Sequence, residues 1–136
     1  MKIRKSVGFT LVEVMVTVVI VAILAKLAMS SYSEYLRRAE RTEAKTVLLE
    51  NVLSMEQLFT LNNTYGATQP TLPYPTSPKT GTAKYNISIT AMTPTSYQLS
   101  AVPVDSSAKC GTFTIDNTGQ RGVSSGFLVA ECWGNG

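Results

Sequence analysis

The chain has 136 residues, with 12 Lys+Arg, 9 Asp+Glu and no histidine, a length that fits one globular domain plus an appendage. Without histidine there is no Ser-His-Asp or Cys-His nucleophilic site and no ordinary His-bearing zinc site, and two cysteines cannot hold a metal alone. Neither GxGxxG nor the GxxxxGK phosphate loop occurs, so the composition points away from an enzyme and implies no cofactor. The formal charge of +3 is carried by Lys2, Arg4 and Lys5; the other nine basic side chains meet nine acids, and from Thr42 onward five basic residues face six acidic ones. That balance is not the footprint of a globally basic nucleic-acid binder.

Residues 1–8, MKIRKSVG, are short and basic and end in glycine. FTLVEVMVTVVIVAILA follows, Phe9 to Ala25, apolar except for Glu13 and two threonines, and then Lys26 and LAM. Three readings compete for this segment. A secretory signal peptide would be cut after the apolar run, near Ala28-Met29-Ser30, but the run is long for that role and carries an acid. A single-pass anchor explains the length, close to the lower limit for crossing a bilayer, and leaves Glu13 unexplained. Cleavage before the run, between Gly8 and Phe9, keeps the apolar helix and gives both the glycine and the carboxylate a purpose.

A carboxylate five residues into an apolar helix costs about 2.5–3.5 kcal/mol on insertion scales for the comparable aspartate, so it calls for a named partner. Thr10-Leu11-Val12-Glu13 fits a capping box, which would use Glu13 locally. The stronger partner is an α-amino group created at Phe9: Glu13 of one helix would neutralise the amino terminus of a neighbour and fix the register of an apolar bundle.

From Ser30 to Asn63 there is neither proline nor glycine, and Leu48, Val52, Met55 and Phe59 form one stripe at helical period. One helix from Phe9 to about Asn62 would be roughly 80 Å long, with an apolar first half and an amphipathic second half. NNTYGATQPTLPYPTSPKTGTA then reads as an irregular connection. Tyr85, Ile87, Ile89 and Ala91, then Tyr97, Leu99 and Ala101, then Phe113 and Ile115 alternate as strands. Thr93-Pro94-Thr95-Ser96 and Asn117-Thr118-Gly119 supply turns. The expected fold is α+β, with three or four antiparallel strands covering the helical stripe. Cys110 and Cys132 are an even pair and point to an oxidising compartment, with two free buried thiols as the alternative.

The leader, with glycine followed by FTLVEVMVTVVIVAILA and glutamate at the fifth position, resembles the class III signal of type IV pilins and pseudopilins. Tyr32 and Tyr35, RTEAK, FTLNNTY, GTAKY, CGTFTIDNTGQRG and the final CW extend the resemblance to PilE-type minor pilins over nearly the whole chain. The resemblance implies residues 1–8 as leader, 9–30 as transmembrane and assembly helix, 31–62 as its amphipathic continuation, and 63–136 as the head. It implies cleavage between Gly8 and Phe9 by prepilin peptidase, N-methylation of Phe9, Glu13 as the assembly residue, and a Cys110–Cys132 disulfide. The partners would be other pilin subunits, the peptidase and the inner-membrane assembly platform. The subunit would sit in the inner membrane, head in the periplasm, and then in an extracellular filament serving adhesion, twitching motility, aggregation or DNA uptake.

Ser30 stands where pilins commonly carry proline and Ala22 where they commonly carry glycine, which argues against local unwinding of the helix. Lys26 is unusual within such a helix. Two other functions compete with the structural pilin: a type II secretion pseudopilin, and a DNA-receptor minor pilin in which Lys79, Lys84, Lys109 and Arg121 form a basic strip near Tyr85 or Trp133. The sequence favours scattered, solvated charge for those four residues.

Overall fold

The computed structural model describes residues 8–66, 68–124 and 126–134; the rest of the expected leader, residues 1–7, lies outside them. The chain divides into two compact units, one ending at Leu36 and the other beginning at Arg37. Helix α1, Leu11–Asn62, contributes to both. It starts two residues later than the apolar pattern because Thr10 caps it: the Thr10 hydroxyl accepts the Glu13 N–H at 3.3 Å and the Thr10 carbonyl accepts the Val14 N–H, satisfying donors that have no partner inside the helix.

Up to Leu36 the helix exposes its described side chains all round, Phe9 (which precedes it), Leu11, Val18, Ile23 and Leu27 among them. Thr17 returns its hydroxyl to the Val14 carbonyl at 2.8 Å, so it costs little in an apolar setting. This is one helix long and apolar enough, by length and composition, to cross a membrane.

From Arg37 onward the helix becomes one layer of an α+β core. Among the described residues the other layer is a five-stranded antiparallel sheet in sequential order: β1 Thr76–Ser77, β2 Tyr85–Met92, β3 Tyr97–Pro103, β4 Phe113–Asp116 and β5 Arg121–Val123. Strands β2 to β4 are those expected from the alternation. Tyr85, Ile87 and Ile89 are paired with Pro103, Ala101 and Leu99, and Leu99 and Ala101 with Ile115 and Phe113. Each apolar residue therefore lies beside another on the inward face. The expectation of three or four strands misses β1 and β5, which are two and three residues long and too short to show a period. A short helix, α2 Val129–Trp133, follows.

The stripe that α1 buries is also shifted from the expected one. Ala44, Val47, Leu48, Asn51 and Met55 are buried, whereas Val52 and Phe59 are only partly so. Asn51 holds the central position because it pairs with chain crossing over it. Its amide donates to the carbonyls of Val47 at 3.0 Å and Tyr74 at 2.8 Å, and its oxygen accepts the Tyr74 N–H at 3.2 Å. The helix ends at Asn63, whose left-handed φ of 54° lets its N–H reach the Phe59 carbonyl at 2.7 Å, as helix C-termini require.

Candidate functional site

Two regions carry the residues singled out in the sequence. In the first, Gly8 lies in open space, where a Cβ would meet nothing within 4 Å, so packing within this chain does not demand glycine there. Phe9 is 81% exposed. Glu13 supplies its N–H to the Thr10 cap, and no described side chain faces its carboxylate with a positive charge. The Thr10 half of the capping box thus forms, and it leaves the charge of Glu13 uncompensated.

The second region is on the head, where the structure splits the four basic residues of the expected strip into two classes. Lys79 forms an ion pair with Glu50 and lies over the Tyr74 ring at 4.2 Å; Lys84 pairs with Glu40 at 3.2 Å. These two charges are neutralised by α1. Lys109 and Arg121 instead rest on aromatic rings, Lys109 5.4 Å from the centre of Phe127 and Arg121 5.0 Å from that of Trp133. Neither has a carboxylate at ion-pairing distance among the described residues. Tyr85 is excluded as a stacking surface because it is buried in the core, 6.0 Å from Phe113.

Trp133 organises this edge. Its indole N–H donates to the Gly122 carbonyl at 2.9 Å, and its ring meets Phe113 edge-on at 5.6 Å, a favoured aromatic geometry. The neighbouring Cys132 is joined to Cys110, with the two Cα atoms 5.8 Å apart, so the disulfide expected for the C-terminal region is present. It brings Lys109, next to Cys110, into the same neighbourhood as Trp133 and Arg121. The strand that carries Arg121 is entered through a turn ordered by Asp116. That carboxylate accepts from the Thr118 hydroxyl at 2.6 Å and from the N–H groups of Thr118 and Gln120. The Thr118 hydroxyl bond chiefly holds Asp116 below the usual carboxylate range.

A residue not picked out in the sequence belongs to the same edge. Lys45 of α1 donates to the Cys132 carbonyl at 3.2 Å. Its pKa is lowered, first by burial and then by the positive charges of Arg41 and Arg121. Arg41 and Arg121 are therefore each close enough to Lys45 for their positive charge to disfavour its protonated form. The i, i+4 spacing of Arg41 and Lys45 on the amphipathic helix was the available signal; that β5 adds Arg121 depends on tertiary structure. No group of His, Cys, Asp and Glu able to hold a metal occurs among the described residues.

A family model described as type IV minor pilin ComP, DNA uptake sequence receptor, matches residues 30–114, more than half of the chain. The chain belongs to this family of type IV minor pilins. The prokaryotic N-terminal methylation motif matches residues 3–25, which include Gly8, Phe9 and Glu13. Among solved structures, the non-core minor pilin PilV of Neisseria meningitidis is similar at 19% identity and a TM-score of 0.50, over 70% of this chain and 94% of that one. A type IV pilin from Shewanella oneidensis is similar at 26% identity and a TM-score of 0.46, over 62% of this chain and 89% of that one. No curated protein matches. The family decides between pilin and pseudopilin in favour of the minor pilin, and both the family and the fold are those of structural subunits.

Proposed function

We propose that this minor pilin is a DNA receptor, binding DNA through the edge built from Lys45, Lys109, Arg121, Trp133 and Phe127. The observation that supports this most is the contrast between the two classes of basic residue: Lys79 and Lys84, neutralised by α1 carboxylates, and Lys109 and Arg121, resting on rings. Phosphates attract the second class, and no carboxylate must first be displaced. This reverses the preference drawn from the sequence, which took all four cations as solvated charge. The family's description as a DNA uptake sequence receptor supports the same reading.

The apolar half of α1 acts in anchoring and polymerisation. Prepilin peptidase cuts between Gly8 and Phe9, Phe9 becomes the methylated terminus, and Glu13 neutralises the amino terminus of a neighbouring subunit. Residues 9–30 hold the subunit in the inner membrane with the head, 63–136, in the periplasm, until the assembly platform moves it into the filament.

The test is the salt dependence of duplex binding by the full chain in detergent, read by fluorescence anisotropy. Three phosphates neutralised by Lys45, Lys109 and Arg121 give a log–log slope of about −2.7, or about 40-fold weaker binding for a fourfold rise in salt. Arg121→Ala or Lys109→Ala lowers the slope by about one, while Lys79→Ala leaves it unchanged. A flat salt response, or equal losses from Lys79 and Arg121, would refute the assignment.

A further inference from the structure

The basic edge of the head carries an apolar tip. Residues 126–130, GFLVA, contain no side chain that can donate or accept a hydrogen bond. Phe127, Leu128 and Val129 are 41%, 71% and 39% exposed; a single exposed apolar residue needs no explanation, but consecutive ones mark a contact surface. The tip is firmly held. Leu128 is extended, with φ −70° and ψ 137°, and its carbonyl accepts the N–H groups of Glu131 at 3.0 Å and Cys132 at 3.2 Å. Cys132 is in turn bonded to Cys110. A tip fastened in this way loses little conformational freedom when a partner closes over it.

The charges around the tip select the partner. The Lys109 ammonium lies 5.4 Å from the centre of the Phe127 ring, Arg121 lies over the ring of Trp133 at the end of α2, and Lys45 donates to the Cys132 carbonyl. Glu131, exposed on α2, is the one acid in the sequence after Asp116. Three cations against one carboxylate attract a polyanion to the tip. Once there, side chains without polar atoms cannot read base edges through hydrogen bonds. They can instead enter between two base pairs from the minor groove, where an apolar wedge takes over part of the stacking it disrupts.

We propose that Leu128 is such a wedge, entering the minor groove of a bound duplex, partly unstacking one base step and kinking the DNA toward its major groove. The proposal rests on reading this edge as a DNA receptor and gives that edge a mode of binding. Lys45, Lys109 and Arg121 hold the phosphates that border the groove, while the tip adds contact that carries no charge. Leu128 suits the role better than its neighbours. The Phe127 ring already carries Lys109, and Val129 belongs to α2 and is less exposed.

The experiment mixes the full chain in detergent with a duplex labelled at both ends and follows its end-to-end distance by fluorescence energy transfer across a salt series. A bend on the order of 20–90° is expected. Leu128→Ala leaves the head folded, since the side chain is exposed. It keeps the log–log salt slope at about −2.7, because no phosphate contact is lost, and leaves the duplex straight. A duplex with one mismatched step, whose stacking is already weakened, binds the unaltered chain about tenfold tighter than the matched duplex, and Leu128→Ala no tighter. Straight DNA under a steep salt slope, an undiminished bend with Leu128→Ala, or equal binding of matched and mismatched duplexes would each overturn the wedge and leave the DNA reading standing. Loss of Leu128→Ala from sheared filaments together with wild-type DNA bending would assign the tip to a neighbouring pilin subunit and overturn the wedge as well. A flat salt response would overturn the DNA reading itself, and the wedge with it.

Discussion

Replacing both cysteines, Cys110→Ala with Cys132→Ala, tests whether the disulfide holds the basic edge together. The two half-cystines are 22 residues apart, and opening a loop of that size destabilises the head by about 3 kcal/mol through the entropy regained by the unfolded chain. There is also a local effect. Helix α2 has five residues and no side-chain cap at Leu128, so it has little helical stability of its own. Its remaining ties are the Trp133 ring against Phe113, the indole bond to Gly122 and the Lys45 bond to Cys132. Without the disulfide these must hold α2 alone, and the ring under Arg121 loosens first. In urea titrations of the full chain in detergent, a loss of about 3 kcal/mol moves the midpoint down by about 1–3 M. Emission from Trp133, the only tryptophan, should shift to the red before the cooperative transition. A midpoint within about 0.3 M of wild type, together with unchanged emission, would refute the reasoning, since both parts of it rest on the loop closure.

Two further predictions concern the core that carries this edge. Asn51→Leu keeps the volume but strips the Tyr74 N–H and carbonyl of their partner. Leaving two partly buried backbone groups unpaired costs about 2 kcal/mol, measured as a lower urea midpoint; a loss under about 1 kcal/mol would show that water replaces the amide. Tyr65 and Tyr97 both donate to Glu56, at 3.1 and 2.8 Å. Burial first, then these bonds, holds both phenols above their ordinary value, and burial does the same for Tyr85. Below about pH 10 all three are neutral whether the chain is folded or not, so their contribution is fully present. Above that, the unfolded chain loses these protons first and stability falls as pH rises. A tyrosinate absorbance titration should find these three groups ionising only together with loss of near-ultraviolet circular dichroism; reversible ionisation in the folded head would count against the burial argument.

Much of this architecture is legible in the sequence because the elements concerned are long and periodic. The unbroken run to Asn62 and the alternations through Ile87, Leu99 and Phe113 each repeat often enough to declare a period. Strands β1 and β5 do not. Thr76–Ser77 and Arg121–Val123 become strands only because β2 and β4 offer them an edge, which is a tertiary fact. Asn51 misleads for a related reason: a polar residue at a helix's core position reads as an interruption until the loop that crosses it at Tyr74 is known. The even cysteine count and the family resemblance suffice for the disulfide, since parity and compartment are properties of sequence.

Charge was harder to read, and the reason is general. From Thr42 onward the chain is nearly neutral, a sum that conceals how the charges are arranged. Glu40 and Glu50 of α1 answer Lys84 and Lys79, and Asp105 answers Arg37 at 3.5 Å. Exposed pairs of this kind contribute little to stability, but each removes a cation from the set open to a polyanion. On the other edge Lys45 loses proton affinity, first through burial and then through the charges of Arg41 and Arg121, and Arg121 and Lys109 lie on rings. Two lysines in the same composition therefore do opposite things, and what separates Lys84 from Lys109 is a carboxylate three ångströms away, set by sheet register. Net charge describes how a protein behaves from afar; close to the surface, what a phosphate chain would meet is decided by which cations lack a carboxylate partner.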